Sequence, residues 1–304
     1  MPLPPNLHCG AAGWSYPHWN GVVFPKIKPR NFHGLSFLAQ YFDAVEINTS
    51  FYQPIRPELA RLWLHKVEEN PKFLFTAKLH RSFTHERSLN TDFAAQFKEG
   101  LFAMLRARKL GCLLMQFPWT FRFTDENRTF LIQLRRLFHE FPLVAEFRHS
   151  SWMWEEALGT LIDYRVGFCN IDQAAYTKAM PPSSFLTSDI GYVRMHGRNP
   201  QDWDRELRRT ENSAAPHNYL YSTAELREWQ TRIEEIRQHA ARTFVIANNE
   251  IGGKSVVNAL QLSAMLGDGR RLAPADLMLK YRHELGEFEG TEAVQTMLFE
   301  RAVA

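Results

Sequence analysis

Ionisable and amide side chains recur two residues apart at the ends of short apolar segments in this chain. Two residues that stand at i and i+2 share one face of a β-strand. The pairs are Glu46 and Asn48, Thr76 and Lys78, Glu146 and Arg148, and Arg194 and His196. Carboxylates, imidazole and cations gathered at one place can transfer protons or bind an anion.

Eight short apolar segments could supply the strands that position these pairs, and they alternate with amphipathic stretches. The expected strands are residues 7–13, 44–48, 73–78, 111–116, 143–148, 166–172, 192–196 and 243–248. The expected helices are 57–69, 93–109, 127–140, 224–241 and 255–266. This alternation predicts an α/β fold, a TIM-type (β/α)8 barrel as a single domain, with a doubly wound open sheet as the alternative. We expect the barrel domain to span residues 1–267 and a C-terminal extension, with a helix at 292–301, to span 268–304.

Side-chain alternation along each strand predicts which residues face the barrel axis. They are Glu46, Asn48, Thr76, Lys78, Gln116, Glu146, Arg148, Asn170, Asp172, Arg194, His196 and Asn248. Most of them stand at the carboxyl ends of strands, where barrel enzymes carry their sites. Two inward carboxylates, Glu46 and Glu146, face three inward cations, so we expect an anionic ligand to complete the pocket. The three cations are Lys78, Arg148 and Arg194. A self-satisfied ion network, Glu46 with Lys78 and Glu146 with Arg194, is the alternative.

Two further features follow strand ends. Residues 252–255, Gly-Gly-Lys-Ser, lead into a helix and suit either an anion at a helix N-terminus or a plain turn. A rim of aromatic residues could stack on a sugar or base, although loop aromatics also pack barrel tops. Its members are Trp14, Tyr16, Trp19, Phe51, Tyr52 and Trp152.

Several ordered segments resemble the domain-of-unknown-function 72 family, the YecE-like proteins. They are residues 10–19, 45–52, 75–78 with 84–85, 116–118, 145–152, 192–197, 219–221 and 248–249. The resemblance covers residues 8 to 267 and implies a barrel of this type without an established activity. The chain departs from the family at Glu250, where Asp is expected, and in its tail beyond Gly267.

These residues lead to the following site assignment. We expect Glu46, Glu146 and His196 to be catalytic as acid, base or proton carrier. The expected ligand-binding residues are Trp14, Tyr16, Asn48, Tyr52, Lys78, Gln116, Arg148, Trp152, Arg194, Asn248 and Asn249. The favoured partner is a small anionic or sugar-like molecule, and the reaction itself is not assigned.

Other functions fit the same residues less well. Glycoside hydrolysis needs one protonated carboxyl group, which neighbouring cations oppose. No metal site is assigned, although Glu46, Glu146 and Asp172 with His196 or His149 could hold a divalent metal as cofactor. Single-stranded nucleic acid remains an alternative partner, and so does a non-catalytic sensor role. A net charge of +3 gives nucleic acid weak support.

The remaining composition indicates the cell compartment. We expect no membrane partner, because no apolar run approaches ~18 residues and no signal peptide is apparent. Three isolated cysteines predict buried free thiols in a cytoplasmic protein. Residues 197–221 form a long polar connection of the kind that carries function or mobility.

Overall fold

Eight parallel strands close into a barrel in which each strand pairs with its sequence neighbours and the eighth pairs with the first. A computed structural model describes residues 6–199, 218–267 and 272–291. The strands are β1 Leu7–Ala12, β2 Ala44–Ile47, β3 Leu74–Lys78, β4 Leu110–Gln116, β5 Leu143–Glu146, β6 Val166–Asp172, β7 Ile190–Met195 and β8 Arg242–Ala247. Each overlaps a predicted segment, so the (β/α)8 barrel is confirmed over the open sheet.

Helices surround the barrel and connect most of its strands. They are α1 Gly34–Leu38, α2 Pro57–Lys66, α3 Arg81–Thr84, α4 Thr91–Arg106, α5 Asp125–Leu137, α6 Glu155–Asp163, α7 Thr223–His239 and α8 Lys254–Met265. Pro57 opens α2, where its missing N–H costs nothing, and Ser222 forms a capping box with Glu225 at the start of α7. Between β6 and β7, residues 173–189 contain no helix. No helix within the described ranges is long and apolar enough to cross a membrane.

The apolar side chains of the strands pack outward against the helices, and aromatic rings fill the lower barrel interior. Val45, Ile47 and Phe75 are fully buried. Inside, the ring of Phe244 stacks on His8, with 5.2 Å between ring centroids. A Cβ on Gly111 would lie 2.3 Å from the Phe244 ring, so this glycine makes room for it. The cysteines are free and buried, as predicted.

Residues 272–291 pack onto the barrel beside α8. They contain β9 Leu272–Pro274, α9 Ala275–Lys280 and β10 Glu289–Thr291. Leu277 and Leu285 are fully buried in the main hydrophobic cluster, and the Tyr281 hydroxyl donates to the Gly252 carbonyl at 2.8 Å. Gly252 and Gly253 both have positive φ, which makes residues 252–253 a tight left-handed turn before α8. The predicted helix at 292–301 and most of the polar connection, residues 200–217, lie outside the described residues.

Candidate functional site

Arg194 lies at the centre of the site, on the barrel axis, between two carboxylates. Its Nη2 donates to Glu46 Oε1 at 2.7 Å, and its Nη1 bonds Glu146 Oε2. All three side chains are fully buried, and they come from β7, β2 and β5. Burial alone would lower the pKa of Arg194, but Glu146 and Glu46 raise it. Alternation has therefore brought together the acids and the cation that the sequence predicted to meet.

The second oxygen of Glu146 contacts two more of the predicted residues. Arg148 Nη2 lies 2.7 Å from Glu146 Oε1, and His196 Nε2 lies 3.3 Å from the same oxygen. Burial would raise the pKa of Glu146, but Arg148 and Arg194 hold it well below its usual value. Burial first, and then Arg148, lower the pKa of His196. Asn248 Nδ2 lies 3.0 Å from His196 Nδ1. This geometry fits a neutral imidazole that carries its proton on Nε2 and faces an ionised carboxylate.

Glu46 also accepts a hydrogen bond from a hydroxyl group through its second oxygen. The Tyr192 hydroxyl donates to Glu46 Oε2 at 2.9 Å and lies 2.8 Å from Thr76 Oγ1. Glu46 therefore accepts from both a guanidinium and a phenol while fully buried. Its contacts place it in the floor of the site.

Lys78 is the cation that this network neutralises least. Its Nζ is 3.9 Å from Glu46 Oε1, an oxygen that Arg194 already occupies. Its side chain keeps 13% of its surface exposed, whereas Arg194 has none. Burial, and then Arg194, lower the pKa of Lys78 to about 8. The Phe51 ring lies beside it, 5.8 Å from Nζ to the ring centroid.

Four further polar side chains, those of Gln116, Tyr16, Asn48 and Glu250, lie beside this network. Gln116 Oε1 accepts from Arg194 at 3.3 Å. The Tyr16 hydroxyl donates to the Ala12 carbonyl at 2.7 Å and accepts from Asn48 Nδ2 at 3.4 Å. Glu250 interacts electrostatically with Tyr16, Lys78 and Arg194, and burial raises its pKa to about 7. Asn48 Oδ1 and Glu250 Oε2 are buried acceptors without a hydrogen-bond partner among the described residues.

Glu250 is the residue that sequence reasoning left out of the site. In the sequence it stands out only as a departure from the family pattern. The usable signal was its position, two residues after inward-facing Asn248 at the end of β8.

The inward orientation predicted for β6 is wrong. Cys169 and Ile171, not their polar neighbours, pair in register with Tyr192 and Arg194, and Cys169 Sγ lies 3.9 Å from Glu146 Oε2. Asn170 therefore faces the helical layer and donates to the Phe185 carbonyl at 2.9 Å.

Asp172, which follows on the same face of β6, anchors the outer layer. It accepts a bidentate pair from Arg198, a hydrogen bond from the Tyr221 hydroxyl at 3.1 Å and another from Trp229 Nε1. Trp229 lies on α7, outside the barrel. The divalent-metal alternative loses Asp172 as a ligand, and Arg194 lies between the other two carboxylates. Among the described residues, no group of three metal-binding side chains is assembled.

Two predicted ligand-binding residues have structural roles instead. Trp152 is fully buried, stacks on Phe147 with 3.9 Å between centroids, and donates from Nε1 to the Phe121 carbonyl at 2.8 Å. Asn249 is fully buried and donates to the Tyr219 carbonyl at 2.7 Å and to Asn258 Oδ1 at 2.8 Å. The ring of Trp152 is therefore used in packing, whereas Asn249 is tied through its Nδ2 and keeps Oδ1 as a buried acceptor without a hydrogen-bond partner among the described residues.

The other rim aromatics differ in exposure. Trp19 is buried and donates to the Glu250 carbonyl at 2.8 Å, so it supports the rim from beneath. Trp14 is half-buried, with its ring edge-on to Trp63. Tyr52 is 69% exposed and stays available at the barrel mouth.

Comparison with known proteins agrees with this architecture. The family model described as "Protein of unknown function DUF72" matches residues 8–278, so the shared region reaches beyond Gly267 into α9. The chain is similar to the UPF0759 protein YunF of Bacillus subtilis, with 26% identity over 288 residues that cover 90% of this chain and 99% of that protein.

Solved structures of the same family share the fold. A DUF72 family protein from Thermotoga maritima is 28% identical, with a TM-score of 0.74 over 86% of this chain and 98% of that one. A second, from Enterococcus faecalis, is 24% identical, with a TM-score of 0.73 over 86% and 95%. The fold, the ordered motifs and the extent of the match together show that this chain belongs to the DUF72 family.

Proposed function

We propose that the protein binds a small hydroxylated anion, such as a sugar phosphate or sugar acid, at the carboxyl end of the barrel, with Lys78 contacting the anionic group. The observation that carries the proposal is the position of Lys78, nearly buried and 3.9 Å from a carboxylate oxygen that Arg194 already binds. A buried charge without a full partner is costly, so a bound anion would stabilise this region.

The charge balance of the floor supports an anion. Lys78, Arg148 and Arg194 face Glu46 and Glu146, and the lowered pKa of His196 keeps that ring neutral near pH 7. The five ionised groups carry one surplus positive charge. Ionisation of Glu250, whose pKa is about 7, would offset it, and a ligand anion would compete for that role.

The acceptors above the floor support hydroxyl groups on the ligand. Asn48 Oδ1 and Glu250 Oε2 lack partners among the residues described, and a buried acceptor of this kind favours a ligand donor. A phosphorylated or carboxylated polyol has both kinds of group: an anionic group that can bind Lys78 and hydroxyl groups that can donate to these two oxygens.

The same geometry divides the predicted chemical roles. Glu46, Glu146 and His196 are fully buried under the cations, so in this proposal they orient Lys78 and Arg148. Glu250 has a pKa close to neutral and lies nearer the opening, so it is the better-placed proton acceptor.

Calorimetric titration with sulfate, with inorganic phosphate and with glucose 6-phosphate tests the proposal. Lys78→Met should lose one bound equivalent of the anion. Lys72 is exposed and lies just before β3, at the opposite end of that strand, so Lys72→Met should bind like the wild type. Glucose 6-phosphate should bind more tightly than inorganic phosphate, and Asn48→Ala should narrow that difference. Identical titrations of the two lysine variants would overturn the proposal.

A further inference from the structure

Two ring N–H donors lie close together in the loops that follow β4 and β5. The rings of Trp119 and His149 are 5.3 Å apart between centroids. His149 is 5% exposed, and Trp119 is partly buried. Both residues lie at the carboxyl end of the barrel, because they follow strands that end at Gln116 and Glu146.

The hydrogen bonds of His149 determine where its proton lies. Its Nδ1 accepts from the Ser151 backbone N–H at 3.1 Å and is 2.8 Å from Ser151 Oγ. A neutral imidazole that accepts at Nδ1 carries its proton on Nε2. Both His149 Nε2 and Trp119 Nε1 are buried atoms without a hydrogen-bond partner in the described parts of the chain. A buried donor without an acceptor is unfavourable, so two neighbouring ones indicate a missing acceptor.

Two cationic side chains act on this ring pair. The Arg122 guanidinium carbon lies 5.0 Å from the centroid of the Trp119 ring. After burial, the charges of Arg122 and Lys178 lower the pKa of His149. Lys178 has a left-handed backbone, φ 59°, and its carbonyl accepts from the Ser150 N–H at 3.0 Å beside the His149–Ala179 bridge. A strained lysine held next to this loop fits a functional role.

We propose that Trp119 and His149, with Arg122 and Lys178 around them, form a second oxyanion subsite at the carboxyl end of the barrel. The two N–H groups donate to separate oxygens of one phosphate, sulfate or carboxylate group, and the cations balance its charge. This subsite is independent of Lys78 and goes beyond the proposed function.

Equilibrium dialysis with labelled sulfate tests this subsite. The wild type should bind two equivalents, and Trp119→Phe, which keeps the ring under Arg122 but removes the N–H, should weaken one of them at least tenfold. Trp154→Phe is the matched control, because Trp154 is 60% exposed and follows β5, the strand that also precedes His149. Arg122→Met changes an exposed side chain, so it should weaken the same equivalent without affecting folding.

The outcomes separate the two proposals. Loss of one equivalent in Lys78→Met and of the other in Trp119→Phe supports both. If Trp119→Phe and Arg122→Met bind sulfate like Trp154→Phe, only water satisfies these donors and the subsite is overturned, whatever Lys78→Met does. Competition by acetate and by phosphate then separates a carboxylate from a phosphate as the preferred group.

Discussion

Two carboxylate–arginine clusters occupy opposite faces of neighbouring strands, and they differ in how completely their charges are paired. The inner cluster joins Glu46 and Glu146 through Arg194 and leaves Lys78 with a shared oxygen. In the outer cluster, Asp172 accepts from a bidentate guanidinium, a phenol and an indole. The outer cluster has an internal donor for each of its acceptor oxygens, as expected of an anchor. The inner one carries a surplus cation, as expected of a site that receives a ligand.

The largest difference should appear in stability. Arg194→Met leaves two buried carboxylates facing each other and should lower the free energy of unfolding by about 3–5 kcal/mol. Arg198→Met should cost less, about 1–3 kcal/mol, because Asp172 keeps the Tyr221 and Trp229 donors and the Arg198 side chain is partly exposed. Urea denaturation measures both variants. If Arg198→Met lowered the free energy of unfolding as much as Arg194→Met or more, the outer cluster would not be the better paired of the two.

The next effect is a dependence of anion binding on pH, which only the inner cluster should show. Sulfate favours protonated Lys78, whose pKa is about 8, so the affinity is full below that pH and falls as the pH rises through it. From pH 7 to 9 the protonated fraction drops about tenfold, and the affinity should follow. Glu250 ionises near pH 7, and its negative charge disfavours a bound anion, so it also lowers the sulfate affinity as the pH rises.

This pH profile is best measured by calorimetry in the Trp119→Phe background, where the Lys78 site is isolated. Glu250→Gln should remove the part of the decline below pH 8 and keep the part above it. An affinity that stays constant from pH 7 to 9 would exclude Lys78 as the binding cation.

A smaller effect comes from removing one charge in each cluster. Glu46→Gln removes the carboxylate 3.9 Å from Lys78, which competes with sulfate for that cation and is worth about 1 kcal/mol. Because Glu46 also raises the pKa of Lys78, the comparison is made at pH 6, where Lys78 stays protonated and sulfate binding should tighten about fivefold. Asp172→Asn changes the charge of the outer face and should leave sulfate affinity unchanged. Equal changes in sulfate affinity for the two substitutions would contradict the unequal pairing of charges in the two clusters.

The same two clusters show how far sequence patterns reach. Alternation correctly turned Glu46, Lys78, Glu146 and Arg194 inward, because the residues between them are apolar and pack on helices. In β6 the polar residues also alternate, but they face outward, because α7 supplies the indole of Trp229 as a partner for Asp172. Alternation along a strand predicts which side chains share a face. Whether that face is turned toward the barrel axis depends on the side chains of other elements that pack against it.

Residues in loops were harder to place, for a similar reason. Trp152 stands just after an inward arginine, yet its ring turns to stack on outward-facing Phe147. Trp119 is absent from the predicted site, and His149 enters it only as a possible metal ligand, because no strand periodicity extends into their loops. Glu250 was missed although it stands two residues after inward-facing Asn248. The surroundings of these loop residues depend on chain segments that are distant in sequence.

The position of Arg194 also has a consequence for folding kinetics. Glu46 is 148 residues away in the chain and Glu146 is 48, so neither ion pair forms from local sequence. Contacts this distant slow the search for the native topology. Until β2, β5 and β7 are all in place, burial of Arg194 would leave its charge unpaired in the apolar barrel interior. Partly folded intermediates that bury Arg194 early are therefore unfavourable. The network therefore makes the last stage of assembly cooperative and penalises a strand docked one residue out of register.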